Sequence, residues 1–95
     1  MAIRSFKDPD AEIFFTKGLR ARKKGWDSAR NTAKRKLGML NYACALKDLR
    51  SPPNNRLEAL KGELKGYYSI RINDQWRIIF RWNQGPYDVQ IVDYH

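Results

Sequence analysis

Residues 67–82, YYSIRINDQWRIIFRW, alternate with a period of two. Tyr68, Ile70, Ile72, Trp76, Ile78, Phe80 and Trp82 are all even-numbered. Successive strand side chains point to opposite faces, so these residues form one apolar face of a hairpin. The other face carries Tyr67, Ser69, Arg71, Arg77, Ile79 and Arg81. A slip of one residue would turn every apolar side chain into water, so even must pair with even across the turn. The shortest loop that satisfies this is Asn73-Asp74-Gln75. Ile72 then faces Trp76, Ile70 faces Ile78, and Arg71 faces Arg77. Two arginines directly opposite repel each other. The register therefore predicts a negative group between them: an internal carboxylate such as Asp93, or a phosphate, whose oxygens match the guanidinium fork. With Tyr67 and Arg81 close by, this face offers charge and aromatic surface to a nucleotide.

An apolar sheet face has to be covered, and the N-terminal half supplies two helices. In KDPDAEIFFTKG, Asp8 can cap, Pro9 suits the first helical position, and Gly18 can end the helix. Phe14 and Phe15 are its buried candidates. Asp27 or Ser28 begins a longer helix, about 28–47, with Ala29, Ala33, Leu37, Leu40 and Cys44 on one face. Cys44 is predicted to be a core side chain, because a free cysteine packs as a small hydrophobe. Arg30, Lys34 and Arg35 point elsewhere, and Trp26 reads as a lid on the core. Pro52 and Pro53 stop the helix. Short strands are predicted for IRSF near the start, for RLEALKG, and for the terminal VQIVDYH. The expected order is one strand, two helices and four strands in a single domain spanning 1–95. That is an α+β fold with two N-terminal helices packed on a mostly antiparallel sheet.

Charge narrows the partner. Nineteen Lys+Arg against ten Asp+Glu give a net charge of +9. Residues 17–36 concentrate it, with nine Lys/Arg and one Asp. Such a balance suits a polyanion, nucleic acid first. Within this run Arg20, Arg22, Lys23, Lys24, Arg30 and Lys34 are candidate contacts for RNA or an RNA-rich assembly, with Arg81 on the sheet. The run also suits an acidic protein. One histidine, His95, and one cysteine leave no His- or Cys-rich metal site and no internal disulfide, and no cofactor is expected. The start shows no signal peptide, and no apolar run is long enough to span a bilayer, so a cytoplasmic protein away from membranes is expected.

LRSPPNNRLEALKG, followed by YYSIRINDQWRIIFRW and the terminal IVDYH, resembles bacterial toxins of the RelE/HigB superfamily, nearest their HigB-type branch. The resemblance runs nearly end to end. It implies a microbial-RNase-like (RelE-like) fold and a toxin of a type II toxin-antitoxin system. It implies an endoribonuclease that cuts messages on the ribosome. The expected partners are the ribosome, mRNA and a helix-turn-helix antitoxin of the HigA type encoded nearby; operator DNA is met only through the antitoxin complex. Carried over residue by residue, it implies a site of Lys61, Arg71, Arg77, Asp93, Tyr94 and His95. Some HigB toxins place a histidine where this chain has Glu58, so either Glu58 is a base in this branch, or proton transfer rests on Tyr94 and His95, or activity is weaker.

Metal-free RNA cleavage needs a base for the 2′-OH, positive charge for the crowded phosphorane and an acid for the leaving oxygen. Lys61, Arg71 and Arg77 can supply the charge. His95 can act as acid or base near neutral pH, and Tyr94 can stack or transfer a proton. Asp93 more readily orients His95 or pairs with an arginine. The alternatives are the same scaffold without RNase activity, either a ParE-like gyrase poison or an RNA-binding module.

Overall fold

The computed structural model describes residues 3–18 and 25–93 of the chain. Helix α1 spans Pro9–Lys17. It starts where the Asp8 carboxylate accepts the backbone N–H of Asp10 and Ala11, at 3.1 and 3.3 Å. It stops at Gly18, whose φ of 67° is left-handed and suits glycine. Helix α2, Arg30–Tyr42, is entered through a 3₁₀ turn over Gly25–Ala29. Neither Asp27 nor Ser28 caps it: Ala29 holds the cap position with no side-chain bond.

Four strands follow: β1 (Glu58–Ala59), β2 (Tyr68–Arg71), β3 (Trp76–Trp82) and β4 (Pro86–Asp93). They form one sheet in the order β1-β2-β3-β4, with every neighbouring pair antiparallel. The hairpin register is the one required by the apolar alternation: Ile70 faces Ile78 and Arg71 faces Arg77. Ile72 N–H donates to the Trp76 carbonyl at 2.9 Å, and Asn73 Oδ1 accepts from Gln75 and Trp76 N–H to close the turn. All seven even-numbered residues join one core with Phe14, Trp26, Ala33, Leu37 and Leu40. Trp26 is buried, its ring edge-on to Phe14 at 4.9 Å. Phe15 is half-buried at the core's margin. No helix among the described residues is long and apolar enough to cross a membrane.

Three further expectations are corrected. IRSF is not a strand of the sheet. Residues 4–7 run beside β4 and make one isolated parallel bridge, Phe6 to Val89, because β4 is irregular there: Asp88 has φ 52° and its N–H bonds Ser5 Oγ. RLEALKG shortens to the two residues of β1, since Arg56 turns left-handed before it and a 3₁₀ turn begins at Gly62 after it. Cys44 is exposed, not core. The helix ends at Tyr42, and Asp48 Oδ2 draws the chain away by accepting from Cys44 and Ala45 N–H, both at 3.0 Å. Leu49, 1% exposed, fills the core position instead. Cys44→Ser should therefore change stability by less than about 0.5 kcal/mol, and the native thiol should alkylate as fast as one in an unfolded peptide. Protection from iodoacetamide would put the thiol back in the core.

Candidate functional site

The helices cover one face of the sheet; the other carries the candidate site. Arg71 and Arg77 lie side by side on it as a cross-strand pair. The repulsion this creates is relieved by two carboxylates from different places. Arg71 Nη2 bonds Asp74 Oδ1 of the hairpin loop. That contact, first through its hydrogen bond and then through charge, holds the Asp74 carboxyl below its usual pKa. Arg77 Nη1 lies 3.3 Å from Glu58 Oε1. Glu58 reaches it across β2, where its register partner is Ser69. Ser69 is fully buried, and its Oγ accepts from Arg77 Nη1 at 3.4 Å. A large side chain at 69 would stand between Glu58 and Arg77. The sequence signal for Ser69 is faint: it is the one small residue in the odd-numbered alternation.

Beneath this charged surface is a small second core of Leu60, Tyr67 and Ile79, with Val92 against it. It gives the arginines a rigid, water-poor floor, where charge acts at greater strength than in bulk water. The Arg77 side chain is 14% exposed against 48% for Glu58, so the guanidinium is sunk and the carboxylate is open. A half-sunk cation next to an open carboxylate can hold a phosphate oxygen and take up a proton within one hydrogen-bond network.

The other predicted residues distribute as follows. Lys61 is exposed and directly follows Leu60 of that floor, at the start of the Gly62–Leu64 turn. Asp93 ends β4 opposite Trp76, and its Oδ2 accepts from Gln75 Nε2 at 3.0 Å. Val89 and Ile91 belong to the helix-side core and Val92 to the opposite floor, so the alternation sets Asp93 on the helix side. Asp74 and Glu58 are thus carboxylates set against Arg71 and Arg77 by these contacts. Tyr94 and His95 lie outside the described residues, as do Arg20, Arg22, Lys23 and Lys24. Arg30 and Lys34 are exposed on α2, where with Gly18 and Asp27 they line a hollow of about 290 Å³. The sheet separates that hollow from the arginine pair. Arg81 is on the arginine face, its guanidinium 4.5 Å above the Tyr67 ring.

The chain is similar to known proteins. Residues 4–95 match the HigB-like toxin family, described as "RelE-like toxin of type II toxin-antitoxin system HigB". The chain is 48% identical over 80 residues to Toxin HigB-1 of Vibrio cholerae, covering 84% of this chain and 83% of that protein. It is 31% identical over 94 residues to Endoribonuclease HigB of Proteus vulgaris, covering 98% and 99% of the two chains. The YoeB/ParE toxin from Agrobacterium tumefaciens has a similar solved structure, with TM-score 0.54 over the full length of both chains at 20% identity. At that identity the likeness concerns the fold.

Proposed function

This chain belongs to the HigB-like family of RelE-like type II toxins and is an endoribonuclease; on that premise we propose that it cuts messenger RNA on the ribosome, by attack of a 2′-OH on the adjacent phosphate without a metal. The observation that carries this reading is the half-sunk Arg77, paired with an open carboxylate and set directly across from Arg71.

In the proposed reaction the scissile phosphate displaces the loop carboxylate Asp74 from Arg71 and settles against Arg71 and Arg77. Glu58, 3.3 Å from Arg77, accepts the 2′-OH proton. The 2′ oxygen then bonds phosphorus and the 5′ oxygen leaves, generating a 2′,3′-cyclic phosphate and a 5′-OH. The guanidinia meet the charge that grows on the phosphorane, the larger contribution to rate, and Lys61 adds a third cation. Tyr94 and His95 are proposed for the remaining work, His95 returning a proton to the leaving oxygen. Asp93 is proposed to orient that terminus. Arg30 and Lys34, with Arg20, Arg22, Lys23 and Lys24, are proposed to meet ribosomal RNA, and Arg81 the message itself.

Family membership implies an antitoxin partner. We further propose a helix-turn-helix antitoxin of the HigA type encoded nearby, contact with operator DNA through that complex alone, and action in the cytoplasm.

Product ends test the proposal. In a purified translation system, translated messages should yield 5′ fragments with 2′,3′-cyclic phosphate and 3′ fragments with 5′-OH. Ends of the reverse kind, 3′-OH and 5′-phosphate, would sink the 2′-OH step. Equal cutting of untranslated RNA would sink ribosome dependence. Growth arrest with no cut message would favour the gyrase-poison or RNA-binding alternative.

A further inference from the structure

The far end of the arginine face holds a second constellation. Along β3, Arg77, Ile79 and Arg81 share this face, and Ile79 is buried in the floor. Arg81 stands four residues from Arg77, about 13 Å along the strand. Its guanidinium carbon lies over the Tyr67 ring, 4.5 Å from the centroid, and Tyr67 is itself buried with Leu60 and Ile79. Gly66, at φ 95°, makes room for it: a Cβ there would come within 3.2 Å of Arg81 Nη1.

The β4 side is equally specific. Arg77 pairs with Val92 and Ile79 with Gln90, but the register then shifts and Arg81 pairs with Tyr87. Without the shift Asp88 would face Arg81. A carboxylate there would close the guanidinium in an ion pair. The left-handed Asp88, its N–H held at 2.9 Å by Ser5 Oγ, absorbs the extra residue and sets Tyr87 beside Arg81 instead. Bulges of this kind re-aim side chains beside functional sites. Among the described residues, Arg71 and Arg77 have carboxylate partners, whereas the groups around Arg81 are tyrosines. Their contacts, Tyr67 first, push its pKa up further, so it stays a cation.

A guanidinium held over one aromatic ring can take a second flat ring on its other plane. RNA-binding surfaces use guanidinium planes in this way. We propose that Arg81, braced by Tyr67 and flanked by Tyr87, is the stacking platform for an RNA base that neighbours the nucleotide being cut. The inference rests on the RNA-cleaving reading for its ligand. Its placement about 13 Å from Arg77 separates it from the scissile nucleotide.

The test is a cycle of base removal against Arg81. Messages carry an abasic nucleotide, in turn, at the two positions on either side of the cut. At one position, losing the base should lower wild-type kcat/KM about tenfold, as stacked bases do. In Arg81→Ala the same change should cost less than about twofold. Arg81→Lys keeps the charge and loses the plane, so it should behave like the alanine variant; Tyr87→Ala should fall between. The same cycle read as binding of a programmed, 2′-deoxy, uncuttable message decides the platform whether or not cleavage occurs. No cutting by wild type would sink the ribonuclease reading alone. Losses from base removal and from Arg81→Ala that simply multiply, or a lysine variant with full base sensitivity, overturn the platform.

Discussion

Replacing Arg77 by alanine is expected to lower message cleavage about 10²–10³-fold, the loss typical when one preorganised donor to a developing charge is removed. The fold should hardly respond. Arg77 sits on the central strand pair, but its carboxylate partner Glu58 is 48% exposed and water can solvate it once the guanidinium is gone. The stability cost is therefore that of losing a half-sunk side chain whose partner stays solvated, about 1–2 kcal/mol. Ser69 Oγ loses one donor and keeps the floor around it. Arg77→Lys should recover part of the rate, since it restores the charge without the fork. Glu58→Gln separates two roles. A base removed costs roughly 10²–10⁴-fold and flattens the acidic limb of the pH–rate profile. A mere tether removed leaves Arg77 in place and the rate nearly unchanged. Cleavage rates in a programmed translation system, with urea midpoints as the folding control, read all three variants. Wild-type cleavage by a folded Arg77→Ala protein would remove this arginine from the chemistry.

How far such a site can be read from sequence depends on what fixes each part. The hairpin register was legible because one face had to be buried; the period of two then left a single pairing, and Arg71 came opposite Arg77. The need for negative charge followed from that repulsion. Its source did not. Glu58 arrives on a two-residue strand whose pairing depends on the path through SPPNN and the Gly62 turn, and no alternation records that path. The bulge at Asp88 is similarly silent, because it is stabilised by Ser5, far away in the chain. Cys44 misled because helical spacing continues in the letters beyond Tyr42, where the backbone helix has already ended. Parity along β4 changes meaning at the bulge, so even positions after it share the face of odd positions on β3.

The largest stability effect is expected at Asn55, a residue with no part in the proposed chemistry. Asn55 is completely buried. Its Oδ1 accepts from Lys36 Nζ, and its Nδ2 donates to the Leu49 and Ser51 carbonyls at 3.2 and 3.3 Å. Lys36 is 3% exposed on α2, with Asn54 Oδ1 as a second acceptor at 3.3 Å. One amide thus ties α2 to the SPPNN segment that leads into β1. Asn55→Ala strands two carbonyls and takes an acceptor from a buried ammonium, a cost of roughly 3 kcal/mol or more. For a domain of this size the melting temperature should fall by at least about 10 °C. Desolvation, then Arg35 and Arg71, hold the Lys36 pKa below 10.5. The unfolded chain therefore binds more protons than the folded one between that lowered value and 10.5, so this group's contribution to stability rises with pH across that window. Losing Asn55 lowers the folded pKa further, because the lost acceptor favoured the charged form. The deficit of Asn55→Ala relative to wild type should accordingly shrink as the pH rises from 7 towards 10.5. Urea midpoints across that range measure this. A deficit that stays constant would assign the cost to the two carbonyls, and one under about 1 kcal/mol would mean that water or a rearranged SPPNN segment replaces the amide. Either way the variant should lose activity only in proportion to its unfolded fraction. Arg77→Ala is expected to do the opposite, remaining folded while cleavage fails.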